Sequence, residues 1–216
     1  MNATLEARTD LTASASSMPV HHSRSGPIRR TGGRCPMREP SETGKRVYLH
    51  PPHGDDADEF LSLARASGAL HHPWVSPPGD QAAFTAYVDR NGGDDFRGFL
   101  ACRREDGAMV GVVNLSQVFR GSFNNAYLGF YGFAPFVRKG YMTEAVDLAL
   151  RHAFRSMGLH RVEANLQPAN HRSRALVERL GFRLEGFSPR YLKIAGRWRD
   201  HEHWAVLAEE WRVRPK

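Results

Sequence analysis

The stretch from Phe136 to Phe154 constrains this chain more than any other, because it changes structural type twice in a short span. Just before it, Ala126-Tyr-Leu-Gly-Phe-Tyr-Gly-Phe133 is aromatic and β-prone, and the Ala134-Pro135 step ends it as a strand. From Met142 the apolar residues Met142, Val146, Ala149, Leu150, Ala153 and Met157 recur at helical spacing, leaving Glu144, Asp147 and Arg151 for water. Gly158 stops that helix. A helix entered through Arg138, Lys139 and Gly140 presents N–H groups without intrahelical partners, the positive end of its dipole and two cations. Such an end binds phosphate, and it equally suits an ordinary strand-to-helix turn with solvated basic side chains.

The remaining chain reads as strands and helices in mixed order. Arg46 to His50 is a short strand closed by Pro51-Pro52. Asp55 to Ser67 places Ala57, Phe60, Leu61 and Ala64 on one face, with acids in its first turn and Gly68 after it, so a helix is expected. His71 to Gly79 is a loop carrying Trp74, and Asp80 to Asn91 is a second helix. Phe96–Arg103 and Met109–Phe119 flank Glu105-Asp106-Gly107 as a hairpin, and Asn124-Asn125 turns the chain into the aromatic strand. Arg161 to Gln167 alternates, with Arg161, Glu163, Asn165 and Gln167 on one face and Val162, Ala164 and Leu166 on the other. Asn170 caps a helix whose apolar face is Ala175, Leu176, Val177 and Leu180, ended by Gly181. Phe182–Phe187, Arg190–Ile194 and Trp198–Leu207 supply two or three closing strands, with Ala195-Gly196 as a turn.

Composition bounds the function classes. The 216 residues suffice for one well-buried domain and a tail. Residues 1–45 are rich in Ser, Thr, Pro, Gly and Arg, hold seven Lys/Arg against four Asp/Glu, and lack periodicity, which predicts a disordered basic tail before a single domain over 46–216. No apolar run approaches a membrane span or a signal-peptide core, so a soluble, cytoplasmic protein is expected. Two cysteines, Cys35 and Cys102, support neither a disulfide framework nor a metal site, and the spacing of His50, His53, His71 and His72 matches no zinc pattern, so no metal is expected. Neither Gly-x-Gly-x-x-Gly nor Gly-x-x-x-x-Gly-Lys-Ser/Thr occurs. A net charge of +7 suits an anionic co-substrate, an RNA-containing partner or a solvated surface. No sequence-specific nucleic-acid recognition is expected.

Val137-Arg-Lys-Gly-Tyr-Met142 resembles the acyl-CoA pyrophosphate loop of the GNAT N-acetyltransferase superfamily, Gln/Arg-x-x-Gly-x-Gly/Ala, with Val137 at the Gln/Arg position. Two further blocks, His160 to Ser173 through Leu180-Gly-Phe182 and Arg190 to His201, are similar in content and order to the RimJ/RimL group of ribosomal-protein N-terminal acetyltransferases. The resemblance runs from about Arg46 to Trp211. It implies an α+β (mixed α/β), GNAT-like fold: a central twisted, mostly antiparallel sheet with a splayed parallel strand pair and flanking helices.

The same resemblance implies acetyl-CoA as co-substrate, an amine acceptor and direct transfer without metal. It places the pantetheine arm on backbone groups of Tyr131, Gly132 and Phe133, and the pyrophosphate on the amides of Arg138, Lys139, Gly140, Tyr141, Met142 and Thr143. Asn170 and Ser173 match the Asn-x-x-Ser of the group, making Ser173 the candidate donor to the departing thiolate and Asn170 a CoA contact; from the residues alone they are a cap and a first-turn serine. Glu163, sharing its face with Asn165, is the candidate base or water-positioning group, or else half of an ion pair with an arginine. Asp200 and His201 are weaker candidates for acceptor contacts. An α-amino group, with a pKa of ~7.7–8.0, loses its proton far more readily than a lysine at ~10.4, so a site without an obvious strong base favours a protein amino terminus, including that of a ribosomal protein. A small-molecule amine acceptor and a catalytically idle acyl-CoA-binding module are the alternatives.

Overall fold

The computed structural model describes residues 39–212. Most of the expected tail, with Cys35, lies outside them. Just before the domain start expected at residue 46, Glu42–Thr43 form strand β1, antiparallel to β2 (Val47–His50). This polar pair of residues is held by a distant partner: Arg151 Nε donates to the Glu42 carboxylate at 2.6 Å and Arg151 Nη2 to Thr43 O at 2.8 Å. Local composition carries no trace of that contact.

Six further strands complete one sheet: β3 (Phe96–Arg103), β4 (Met109–Phe119), β5 (Asn125–Gly132), β6 (Arg161–Leu166), β7 (Arg183–Ile194) and β8 (Arg197–Leu207). Their spatial order is β1-β2-β3-β4-β5-β6-β8-β7, and every neighbouring pair is antiparallel except β5 and β6, which are parallel. The parallel pair is joined by a crossover through α4 (Tyr141–Arg151), which continues as one π-helical turn, His152–Ser156, and stops at Gly158 with φ +66°. A parallel connection needs such a crossover, whereas every hairpin elsewhere closes with a turn.

Helix α4 lays Ala145, Val146, Leu148, Ala149 and Leu150 on one face of the sheet, over Val47, Leu49, Val113, Leu115 and Ala126. Helix α5 (His171–Arg179) continues that layer, burying Val177, with Leu180 and Phe182 behind it; Ala175, expected on the apolar face, is exposed. The opposite face carries α1 (Ala57–Ala66), the short α2 (Gly68–His71) and α3 (Gln81–Arg90), whose Phe60 and Phe84 pack on Leu100, Met109, Val112 and Phe133. Cys102 is fully buried in this second cluster, with its Sγ 3.5 Å from His50 Nε2. The chain closes with α6 (Ala208–Arg212).

The closing strands differ from expectation. Phe182–Phe187 and Arg190–Ile194 are parts of one long β7, because a bulge between Ser188 and Leu192 keeps the chain in register with β8 instead of breaking it. The bulge is fixed by Arg190, at φ +49°, whose N–H donates to Asp200 Oδ1 at 2.7 Å. No described helix is long and apolar enough to cross a membrane.

Candidate active site

The parallel pair is matched only at its base. Asn125, Ala126 and Tyr127 pair with Arg161, Val162 and Glu163, and beyond Tyr127 and Glu163 the two strands separate into a fork. On its other side β5 stays bonded to β4, ending with Phe133 N–H donating to Val110 O at 3.0 Å. Antiparallel pairing alternates, so the amides and carbonyls of Tyr131 and Phe133 face β4, and those of Leu128, Phe130 and Gly132 face the fork. Of the three residues expected to offer backbone contacts, Gly132 turns its main-chain groups to the fork, as does Phe130, while Tyr131 and Phe133 turn theirs to β4. The carbonyl of Gly132 is already engaged, accepting from His71 Nε2 at 3.0 Å. His71 is buried and pins α2 to the lip of the fork, helped by Ser67 Oγ, which accepts from Ala134 N–H at 2.9 Å.

The strand-to-helix turn sits at the mouth of the fork. Arg138 (φ +63°) and Gly140 (φ +78°) both adopt left-handed backbone, and Arg138, Lys139 and Gly140 are exposed. Gly140 occupies the N-cap position without a side-chain cap, so the first-turn amides of Tyr141, Met142 and Thr143 point outward with no intrahelical acceptor. Val137 is extended and makes no polar contribution to the turn. Beneath it, the Met142 side chain fills the space left by Gly111 and Gly132; a Cβ on Gly111 would stand 2.3 Å from Met142 Sδ.

Arg46 clamps this turn from outside. Its Nη1 donates to Lys139 O at 2.9 Å, its Nε to Glu144 Oε2 at 3.0 Å, its backbone N–H to Glu144 Oε1 at 2.7 Å, and its guanidinium lies 5.1 Å from the centre of the Tyr141 ring. Burial pushes the Glu144 carboxyl up, but the N–H groups of Arg46 and Val47 with the guanidinium outweigh it and hold the group below the usual carboxylate range. A cleft beside the turn is lined by Arg46, Gly140, Thr143, Glu144, Asp147 and Arg179, the last from the end of α5. The free strand edge, the outward amides and the cations together fit an extended molecule with amide groups along its arm and an anionic head.

Helix α5 starts beyond the end of β6. Asn170 Oδ1 caps it, accepting from Ser173 N–H at 3.2 Å, and both side chains are half-buried. The face of β6 directed away from α4 carries Glu163 and Asn165. Glu163 Oε1 accepts from Arg161 Nε at 2.8 Å and from Asn125 Nδ2 at 3.1 Å, so its charge is committed at the base of the fork. Asn165 is the first residue on that face past the last matched pair; its Oδ1 contacts His203 Nδ1 at 2.7 Å, and His203 Nε2 contacts Ser188 Oγ at 2.8 Å. Tyr191, exposed within the bulge, stands edge-on to His203 at 4.7 Å and hydrogen-bonds Tyr127, whose hydroxyl is pushed up in pKa chiefly by burial and then by Glu163. His201 is buried, with Nδ1 donating to Arg199 O at 3.0 Å, and Asp200 is used by the bulge. A second cavity on this side runs under His72, Pro73, Val75, Pro77 and Pro78 to Ala195 at the tip of the β7–β8 hairpin.

Residues 46–183 match the sequence profile of the acetyltransferase (GNAT) domain, well over half of the chain. This chain belongs to the GNAT acetyltransferase family. It is 32% identical over 172 residues to the probable N-acetyltransferase YjcK of Bacillus subtilis, covering 76% of this chain and 95% of that protein. It is 44% identical over 103 residues to the [ribosomal protein uS5]-alanine N-acetyltransferase of Escherichia coli, a match spanning 48% of this chain and 53% of that one. Mycobacterium smegmatis RimJ, solved in complex with CoA-disulfide, superposes with a TM-score of 0.69 at 29% identity over 76% of this chain and 83% of its own. The GNAT assignment makes the protein an acyltransferase and confirms the fold implied by the three sequence blocks.

Within this GNAT domain the structure brings the turn, the free edge of β5 and the start of α5 to one fork, as the blocks implied. His203, Ser188, Tyr127 and Tyr191 were not singled out in the sequence. His203 stands opposite Asn165 across β8 and β6, a juxtaposition that only the strand register reveals.

Proposed function

We propose that this GNAT enzyme transfers the acetyl group of acetyl-CoA to the α-amino group of a protein, with the amino terminus of a ribosomal protein as the acceptor class. The observation carrying the donor half is the fork itself. Phe130 and Gly132 offer main-chain partners to the pantetheine arm, and the amides of Arg138 to Thr143 with the Arg138 and Lys139 cations receive the pyrophosphate. The acceptor half is supported by the Escherichia coli relative named above, a [ribosomal protein uS5]-alanine N-acetyltransferase, and by the ease with which an α-amine sheds its proton. Such an acceptor places the reaction in the cytoplasm.

In the reaction the amine nitrogen attacks the thioester carbonyl, the C–N bond forms and the C–S bond breaks. Ser173 Oγ protonates the departing sulfur, and Asn170, which shapes the first turn of α5, contacts CoA. Glu163 acts at the base of the fork by holding Arg161 and Asn125.

The test starts with thermal unfolding in acetyl-CoA, CoA and ATP, followed by turnover of an alanine-initiated peptide, the same peptide with a blocked amino terminus and an internal lysine, and a polyamine. Stabilisation by both CoA species and acetylation of the free-terminus peptide alone are expected. Turnover confined to the polyamine would refute the protein acceptor and retain the donor site.

A further inference from the structure

On the basis of the amine-acetyltransferase reading above, we infer that Ser188 and His203, oriented by Asn165, form the proton relay that removes a proton from the acceptor ammonium. The three side chains come from three different strands, β7, β8 and β6, and meet through two contacts of 2.8 and 2.7 Å. A carbonyl oxygen at Nδ1 admits only a donating Nδ1–H, so the Asn165 contact fixes the neutral tautomer. The Nε2 lone pair is thereby left to accept the Ser188 hydroxyl. Hydroxyl, imidazole and orienting amide thus stand in the order that proton abstraction requires.

The location favours the same role. Asn165 is two residues past Glu163, where the parallel strands part, and across the gap Gly129 is exposed, with nothing within 4 Å of the position a Cβ would take. The relay therefore borders the opening on the face away from α4 and its anion-binding turn. The carboxylate best placed for the role, Glu163, is committed to Arg161 and Asn125. The charged or titratable groups around the imidazole are His201 on β8, Tyr191 on β7 with Tyr127 behind it, and Glu163 along β6.

The proton count closes. An ammonium has three protons and the amide keeps one: one passes to Ser188 Oγ while the serine proton moves to His203 Nε2 and on to solvent, and the other ends on the CoA sulfur. Ser188 touches the amine and is the catalytic residue; His203 acts through it, and Asn165 positions the ring.

The experiment compares wild type with Ser188→Ala and His203→Gln on the best amine of the panel. Wild-type turnover tests the underlying reading by itself, and its absence across the panel would overturn both that reading and the relay. With turnover established, each variant is expected to lose roughly 100-fold in kcat, to keep its thermal stabilisation by acetyl-CoA, and to lose the acidic limb of its pH–rate profile. The double variant should be no slower than either single one, because the residues act as a unit. Should His203→Gln fail to fold, Ser188→Ala carries the test, with Ser188→Thr expected to restore activity. Variants that retain more than about a third of wild-type kcat with an unchanged pH profile would overturn the relay while leaving N-acetyl transfer intact.

Discussion

The fork divides the sheet into two arms built on different physical terms. The arm from β2 to β5 is covered by helices on both faces; all four residues of β2 are buried, as are most of β3 and the first half of β4. The arm of β6, β8 and β7 is covered mainly on the α5 side, and its edge strand leaves Leu184, Phe187, Tyr191 and Leu192 exposed. Arg161 bridges Glu163 to Glu185, Arg183 pairs with Glu185 and Glu210, and Arg174 pairs with Glu202. Apolar packing holds main-chain atoms to one geometry, which suits an arm presenting backbone groups to an invariant donor molecule. Ion pairs and side-chain hydrogen bonds at a partly open surface are worth less each and change readily by substitution, so this arm suits the variable, acceptor-facing role proposed for it.

The largest break in this comparison is expected at the turn. Gly140→Trp places a side chain at φ +78°, with its Cβ 3.2 Å from Arg46 Nη2, and should abolish stabilisation by acetyl-CoA in thermal unfolding, with turnover falling at least ~100-fold. Next comes the contrast in stability. Leu150→Ala, fully buried in the first arm, should cost about 2–5 kcal/mol by urea unfolding, whereas Phe187→Ala on the second arm should stay within about 0.5 kcal/mol. Equal costs at the two positions would dissolve the distinction between the arms. Arg46→Ala should weaken acetyl-CoA binding roughly tenfold, about 1.4 kcal/mol by calorimetry, without altering the affinity for the acceptor.

The smallest effect is in pH. Burial lowers the pKa of His152 in the first arm and of His201 in the second. A histidine depressed in the folded state binds protons more readily when unfolded, so stability must fall as pH drops below about 6.5, and must be recovered above it. His201→Gln should flatten part of that acid slope in urea titrations at successive pH values, leaving the part due to His152.

Legibility in the sequence followed local pattern in both arms. Helical periodicity located α1 and α4 with their buried faces, and alternation located β6, because these elements meet the core through regular side-chain spacing. The turn at Gly140 and the cap at Asn170 were legible for the same reason: a left-handed turn and a helix cap are decided within a few residues. That Phe130 faces the fork was not legible, since which carbonyls face it depends on the pairing of β5 with β4, and a one-residue offset inverts the answer. His203 and Ser188 were missed because their meaning arises only when three strands are set in register. β1 was missed because its anchor, Arg151, lies in another element altogether.

Arg46 joins the first residues of the folded domain to a turn 93 to 98 positions later in the chain. Closing a loop of that size carries a large entropic cost, and a ribosome delivers its two ends at well-separated times. The turn proposed to bind the anion is thus completed only after β2 to β5 have been made. A nascent chain of this enzyme acquires the proposed donor site late, after the sheet that carries it.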